Sequence, residues 1–170
     1  MIWTSADRLQ RYSEAIDMLY AANTFLFQHQ CYLNSLRQSI LPWRFQAIRS
    51  MELHIILHIY PCYPSLHAGA MRRYDEMWHV IASMRGLRKL RILLESETDT
   101  PQTWRENEHR WFEPIRAFRP LEQFDVYVTA YRDWLSKKDL DLGSCRLHYP
   151  EVPGAFGTNI MYGGRLYRLN

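Results

Sequence analysis

The stretch "MRGLRKLRILL" (84–94) changes its apolar period part-way along. Met84, Leu87 and Leu90 recur at every third position, whereas Leu90, Ile92 and Leu94 alternate. The first spacing is helical and the second marks a half-buried strand, so the segment predicts a helix end, a tight turn and a strand. Gly86 lies where the helix must stop and supplies the turn.

Two further stretches, "FQAIRSMELHI" (45–55) and "FRPLEQFDVYV" (118–128), fit the same template, offset by 39 and then 34 residues. Aligned, they stack Phe45/Met84/Phe118, Ile48/Leu87/Leu121, Met51/Leu90/Phe124, Leu53/Ile92/Val126 and Ile55/Leu94/Val128. Apolar residues fill all fifteen positions in a chain that is 47% apolar, which sets the repeat well apart from chance. Upstream, Trp78 and Ile81 correspond to Phe112 and Ile115.

The segments between the copies carry helical signals. "HAGAMRRYDEMWHVIASM" (67–84) spaces Met71, Tyr74, Met77, Trp78 and Ile81 along one face. "TPQTWRENEHRWF" (100–112) opens with Thr100 as N-cap and Pro101 at the first helical position, and aligns Trp104, Glu108 and Trp111. The tryptophans are therefore expected in the core, not in a ligand cage. "QCYLNSLRQSI" (30–40) is helical and stops near Pro42. The N-terminal segment predicts a helix with Leu9, Tyr12, Ile16 and Leu19 inward, then a strand "TFLFQ" (24–28), a weaker capping version of the template. Connections are expected at 57–67 and 95–100. Beyond residue 129, "AYRDWLSKKDLD" (130–141) suggests a short helix and "NIMYGGRLYRL" (159–169) a hairpin around Gly163 and Gly164.

Strands separated by helices imply parallel pairing with right-handed crossovers. The expected fold class is α/β: a short leucine-rich-repeat-like solenoid of about four parallel strands with helices on one face. It occupies residues 1–130, and residues 131–170 form a C-terminal extension with a hairpin, packed on the same domain.

Composition limits the function classes. With 23% charged residues and a formal net charge of +3, the chain has globular composition and too little positive charge to imply nucleic acid or an anionic membrane as partner. Three cysteines (Cys31, Cys62, Cys145) without a CxxC motif suggest reduced thiols in an intracellular protein, cytoplasmic or nuclear. The N-terminal "MIWTSADRLQRYSEA" turns polar within five residues, so no secretory signal is expected, and no apolar run is long enough to span a membrane.

The stretches "YSEAIDMLYAANTFLF" (12–27), "LRQSILPWRFQAIRSMEL" (36–53) and "WHVIASMRGLRKLRILL" (78–94) resemble a group of uncharacterised fungal proteins. These carry a domain of unknown function and are grouped with F-box and leucine-rich-repeat-like proteins. The resemblance runs over about residues 8 to 130, with the "NTF" and "IRS" blocks its most distinctive parts. It implies a fungal, intracellular protein of leucine-rich-repeat-like architecture, and no catalytic residues. Relatives carry more chain before the "YSEAI" helix, in some cases with an F-box-like segment, so a copy without an F-box, or a shortened one, is expected here. Ile56, Glu95 and Thr129 stand in place of that motif's asparagine, and the repeats are longer than the usual 20–29 residues or so, so no asparagine ladder is expected.

The basic cluster Arg85, Arg88, Lys89 and Arg91 invites a nucleic-acid reading, but the template gives it another place. Arg91 points away from the helices between Leu90 and Ile92, and the equivalent positions of the neighbouring copies are Glu52 and Asp125. Cross-strand pairing there is favourable by roughly 0.2–1 kcal/mol. The next outward row is His54, Leu93 and Tyr127. These six residues, Glu52, His54, Arg91, Leu93, Asp125 and Tyr127, form the candidate partner-binding face, with Tyr127 and Leu93 as anchors. The tail beyond residue 130 either folds over this face or leaves it open.

Other motifs are weaker. "HIILH" (54–58) spaces two histidines like a zinc-peptidase helix but lacks its glutamate and falls in a strand. Cys62 and His67 share a loop without a second pair at metal-ligand spacing, so no metal is expected. "GAFGTN" (154–159) lacks the GxxxxGK[ST] pattern of a phosphate loop. The expected function is a non-enzymatic protein–protein interaction module, adaptor- or scaffold-like, with an unknown protein partner and no cofactor. The alternatives are a small hydrolase-like enzyme using histidine or cysteine in a cleft between sheet and tail, and a shortened copy with little function of its own.

Overall fold

A computed structural model describes residues 5–57, 64–96, 101–128, 142–148, 160–162 and 165–167, with side chains described over 12–57, 68–95, 102–128 and 142–148. Helices and strands alternate along the chain: α1 (Ser5–Ala22), β1 (Thr24–Phe27), α2 (Cys31–Ser39), α3 (Pro42–Ala47), β2 (Ser50–Leu57), α4 (Pro64–Ser83), β3 (Lys89–Ser96), α5 (Pro101–Arg116) and β4 (Gln123–Val128). Then follow β5 (Arg146–His148), β6 (Ile160–Tyr162) and β7 (Arg165–Tyr167). The fold is mixed α/β, built on a five-stranded sheet in the order β1-β2-β3-β4-β5 with every pair parallel.

The register pairs Met51 with Leu90 and Leu90 with Phe124, then Leu53, Ile92 and Val126, then Ile55, Leu94 and Val128. These are the rows that the sequence template stacks. They are buried together with Met71, Tyr74, Met77, Trp78 and Ile81 of α4 and Trp104, Trp111, Phe112 and Ile115 of α5 in one core cluster. The helices thus cover this face of the sheet, and the three tryptophans lie inside it, as their spacing predicts. Tyr74 carries its hydroxyl into this core and donates it to the Trp111 carbonyl at 2.7 Å, which joins α4 to α5 and satisfies a buried polar group.

Neighbouring units are tied at their turns. Gln46 donates from Nε2 to the Ser83 carbonyl (2.9 Å), and its Oε1 accepts the Arg85 amide (2.7 Å). Arg49 donates to the Gly86 carbonyl at 3.0 Å, while its own carbonyl accepts the amides of Arg88 and Lys89, both at 2.9 Å. From the other side, Arg119 donates to the carbonyls of Met84 (2.8 Å) and Leu87 (2.9 Å). Carbonyls left over at the end of α4 are therefore satisfied by the units on both sides.

Gly86 is required here for a different reason from the one its position suggests. Among the described residues only Gly143 has positive φ. A Cβ on Gly86 would instead lie 1.9 Å from the Gln46 carbonyl oxygen and 2.9 Å from an Arg49 nitrogen, so the turn depends on close backbone approach.

Three expectations need correction. Tyr12 and Leu19 of α1 do not face inward: they are 66% and 55% exposed. Ile16 is half-buried as expected, and Asp17 and Tyr20 join it; Asp17 meets Arg44 of α3 at 3.6 Å, Tyr20 stacks on Phe25 of β1, and the Leu9 side chain lies outside those described. α1 lies at the open edge of the sheet, where no further described unit covers its outer side. The sheet also gains a fifth strand, β5, from the C-terminal extension. The helix α4 begins at Pro64, which shortens the expected 57–67 connection. β6 and β7 pair antiparallel, Tyr162 with Arg165, as expected of a hairpin there. The segments 130–141 and 154–159 lie outside the described residues.

Replacing Gly86 with alanine is expected to cost about 1–3 kcal/mol, since the neighbour it meets is backbone and has little room to give. Urea unfolding checks this as a lower midpoint at unchanged slope.

Candidate functional site

The sheet face opposite the helices is defined by strand alternation. Along β2, Ser50, Glu52, His54 and Ile56 point away from the core, and their inward neighbours are all buried. Parallel register carries this outward set across the sheet. One row runs Glu52, Arg91, Asp125 and Arg146; the next runs His54, Leu93, Tyr127 and His148. All six candidate residues therefore share one surface in two adjacent rows.

Charges alternate along the first row. Arg91 donates to Glu52 Oε1 at 2.9 Å, with both side chains partly exposed. A pair of this kind contributes no more than about 1 kcal/mol, so it orients the guanidinium more than it stabilises the fold. The guanidinium also lies 6.0 Å from the centroid of the Tyr127 ring, at the outer limit for cation–π attraction.

Asp125 is the buried member, 4% exposed in a strand position that should face solvent. It is fully engaged. Oδ1 meets His148 Nε2 at 2.9 Å and Arg146 Nε at 3.3 Å, and Oδ2 accepts from Gln123 at 2.6 Å. Burial pushes its carboxyl up, but the hydrogen bonds from His148 and Gln123, together with the Arg146 charge, outweigh burial and hold it below the ordinary range. The His148 ring in turn stacks on Tyr127, centroids 4.5 Å apart and planes 15° from parallel. A second pair of the same type stands across the face, His54 Nε2 against Glu95 Oε2 at 2.6 Å.

The structure thus separates the six. Glu52, Arg91 and Tyr127 remain partly accessible, and His54 is held by Glu95 with 14% of its side chain exposed. Leu93 is 3% exposed and Asp125 4%, so Leu93, expected as an anchor, presents almost no surface to an incoming partner, and Asp125 is closed in by its own hydrogen bonds. Four residues join the site that the template did not include: Glu95, Gln123, Arg146 and His148. Glu95 was within reach, since it follows Leu93 by two positions. The outward pair on β5 was signalled only by alternation in "CRLHY" (145–149), too short a run to stand out.

The nucleophile chemistry of a Cys–His pair finds little support at this face. Cys145, beside the Asp125 cluster, has its thiol pushed up to about 12, first by burial and then by the Asp125 charge. A thiol held protonated at neutral pH is a weak nucleophile. Among the described residues no three His, Cys, Asp or Glu side chains converge as a metal-binding group. His58 and Cys62 lie outside the described residues.

Comparison with known proteins gives one match: the family described as "Domain of unknown function (DUF7730)" matches residues 8–150. No curated protein and no solved structure matches the chain.

Two outcomes follow from these environments. A carboxyl whose pKa is lower in the folded than in the unfolded chain stabilises the fold above the unfolded value of about 3.9, and that contribution is lost as pH falls through the folded value. Asp125→Asn should therefore cost about 1–3 kcal/mol at neutral pH. Its gap from the unaltered protein should narrow below about pH 4, as read by urea unfolding at pH 7 and pH 3. Iodoacetamide labelling at pH 7.5, followed by mass spectrometry, should modify the exposed Cys31 roughly ten times faster than Cys145.

Proposed function

We propose a function for this chain from one premise: it belongs to the family described as "Domain of unknown function (DUF7730)". The protein is a non-catalytic interaction module that binds a protein partner on the sheet face opposite its helices. Its units form a short leucine-rich-repeat-like solenoid, and it works inside a fungal cell as an adaptor or scaffold. Among the described residues no helix is long and apolar enough to cross a membrane.

The observation that carries this function is the pre-ordered polar face. Arg91 is held by Glu52, Tyr127 is held by the His148 ring, and both retain accessible surface. Side chains fixed before binding lose little conformational freedom on contact, which is how a modest patch gains affinity. Tyrosine and arginine are also the residue types that most often dominate interfaces. Glu52 sets the orientation of the arginine and disfavours partners that present acidic groups at that point.

The hydrolase-like alternative has one observation in its favour, the His148–Asp125 pair, because a buried carboxylate that orients an imidazole is also what a general base requires. Among the described residues the cysteine beside that pair, Cys145, has its thiol pushed up and is a weak nucleophile.

The double variant Arg91→Glu with Tyr127→Ala reverses a charge and removes a ring at partly exposed positions and should leave the fold intact. Affinity purification from the native organism, with partners quantified by mass spectrometry, should show at least a tenfold loss of the specific partner from the variant. Undiminished capture by a folded variant would falsify the proposal.

A further inference from the structure

The basic cluster is only partly absorbed by the pairing just described. Arg91 lies between two carboxylates, Glu52 and Asp125, and Arg88 meets Glu122 at 3.0 Å. Lys89 is placed differently. Its register partners are Ser50 on one side and Gln123 on the other, both uncharged, and it is exposed. Arg49 commits one guanidinium nitrogen to the Gly86 carbonyl. Among the described residues neither Lys89 nor Arg49 meets a carboxylate.

Both line a cavity of about 370 Å³ at the amino-terminal rim of the sheet, on its outward side and continuous with Glu52 and Arg91. Its lining holds four cations (Arg49, Arg88, Lys89, Arg91) and two carboxylates (Glu52, Glu122), a surplus of two positive charges. Hydroxyl donors stand in the same wall: Thr24 donates to Ser50 at 2.9 Å, which leaves the Ser50 hydrogen free to donate in turn. Ala21 and Ala22, at the end of α1, also line the cavity. The carbonyl end of that helix carries partial negative charge, which places an anion on the Lys89 side.

We propose that this cavity binds a phosphomonoester, the phosphorylated side chain of the protein partner, through Lys89, Arg49 and the Ser50 hydroxyl. The charge surplus matches the roughly −1.5 to −2 of such a group at neutral pH and exceeds what one carboxylate would need. The volume lies within the range of ligand clefts, about 300–1,000 Å³, and is larger than a bare phosphate needs, so adjoining peptide fits as well. Charge-assisted donors of these types favour phosphate oxygens. The site rests on the proposed partner-binding role of the face and names what part of the partner is read there.

Two measurements on the full chain separate the site from that role. Amide shifts of labelled protein titrated with inorganic phosphate should move and saturate at Ser50 and Lys89, with no partner present. In fluorescence anisotropy, a randomised peptide pool centred on phosphoserine should bind at least tenfold tighter than the same pool centred on serine, and at least fivefold tighter than one centred on glutamate. Lys89→Glu, at an exposed position without a described partner, should lose at least tenfold in phosphoserine-pool affinity with an unchanged circular dichroism spectrum. Lys89→Arg should restore it. Equal binding of the three pools, an unaffected Lys89→Glu variant, or tighter binding of a single-stranded oligonucleotide than of the phosphoserine pool would each overturn the site. If phosphate binds and Lys89→Glu weakens the phosphoserine pool while Tyr127→Ala, outside the cavity lining, still captures the partner, the site stands and the partner-binding role of the wider face falls.

Discussion

The structure depends on how closely neighbouring turns approach. At Gly86 the backbone comes so near the Gln46 carbonyl that no side chain fits between them, and the Arg49 carbonyl is close enough to accept two successive amides. That contact fixes where β3 starts relative to β2. Because side chains alternate along a strand, a shift of one residue would turn the whole apolar set of β3 out of the core. One small residue thus holds the register on which both faces of the sheet depend.

The outward face inherits its order from that register. Parallel strands in step place residues of equal rank side by side, so Glu52, Arg91, Asp125 and Arg146 form an alternating row without any of them being close in the chain. The same register leaves Lys89 beside neutral Ser50 and Gln123. A basic run that looks uniform along the chain is therefore split by the fold. Arg88 and Arg91 meet carboxylates, while Lys89, and Arg49 in the lining of the same cavity, meet none among the described residues. Composition alone, with its small net charge, conceals this division.

The rows of the core were legible because fifteen apolar positions repeat with one change of period, and burial is the largest favourable term in folding. The candidate face followed from the same template by taking the alternate positions, which is why all six residues share one surface. What failed was the reading of edges and of depth. Tyr12 and Leu19 have helical spacing with Ile16, but spacing shows that a helix has an apolar stripe and not which neighbour exists to cover it. Leu93 and Asp125 occupy outward strand positions and are buried all the same. A three-residue strand such as β5 carries too few side chains to give a periodic signal, and with it His148 and Arg146 escaped notice.

By itself, the sequence determined the alternation of helices and strands through β4, the parallel pairing of β1 to β4 and which side chains of β2, β3 and β4 point to each face. These depend on local period, which a chain carries in its own residues. Only the tertiary structure decided that Asp125 is buried among His148, Gln123 and Arg146, and that Lys89 faces a cavity instead of a carboxylate. Electrostatic environment is set by residues distant in sequence and by solvent exclusion, and neither exists until the strands are side by side.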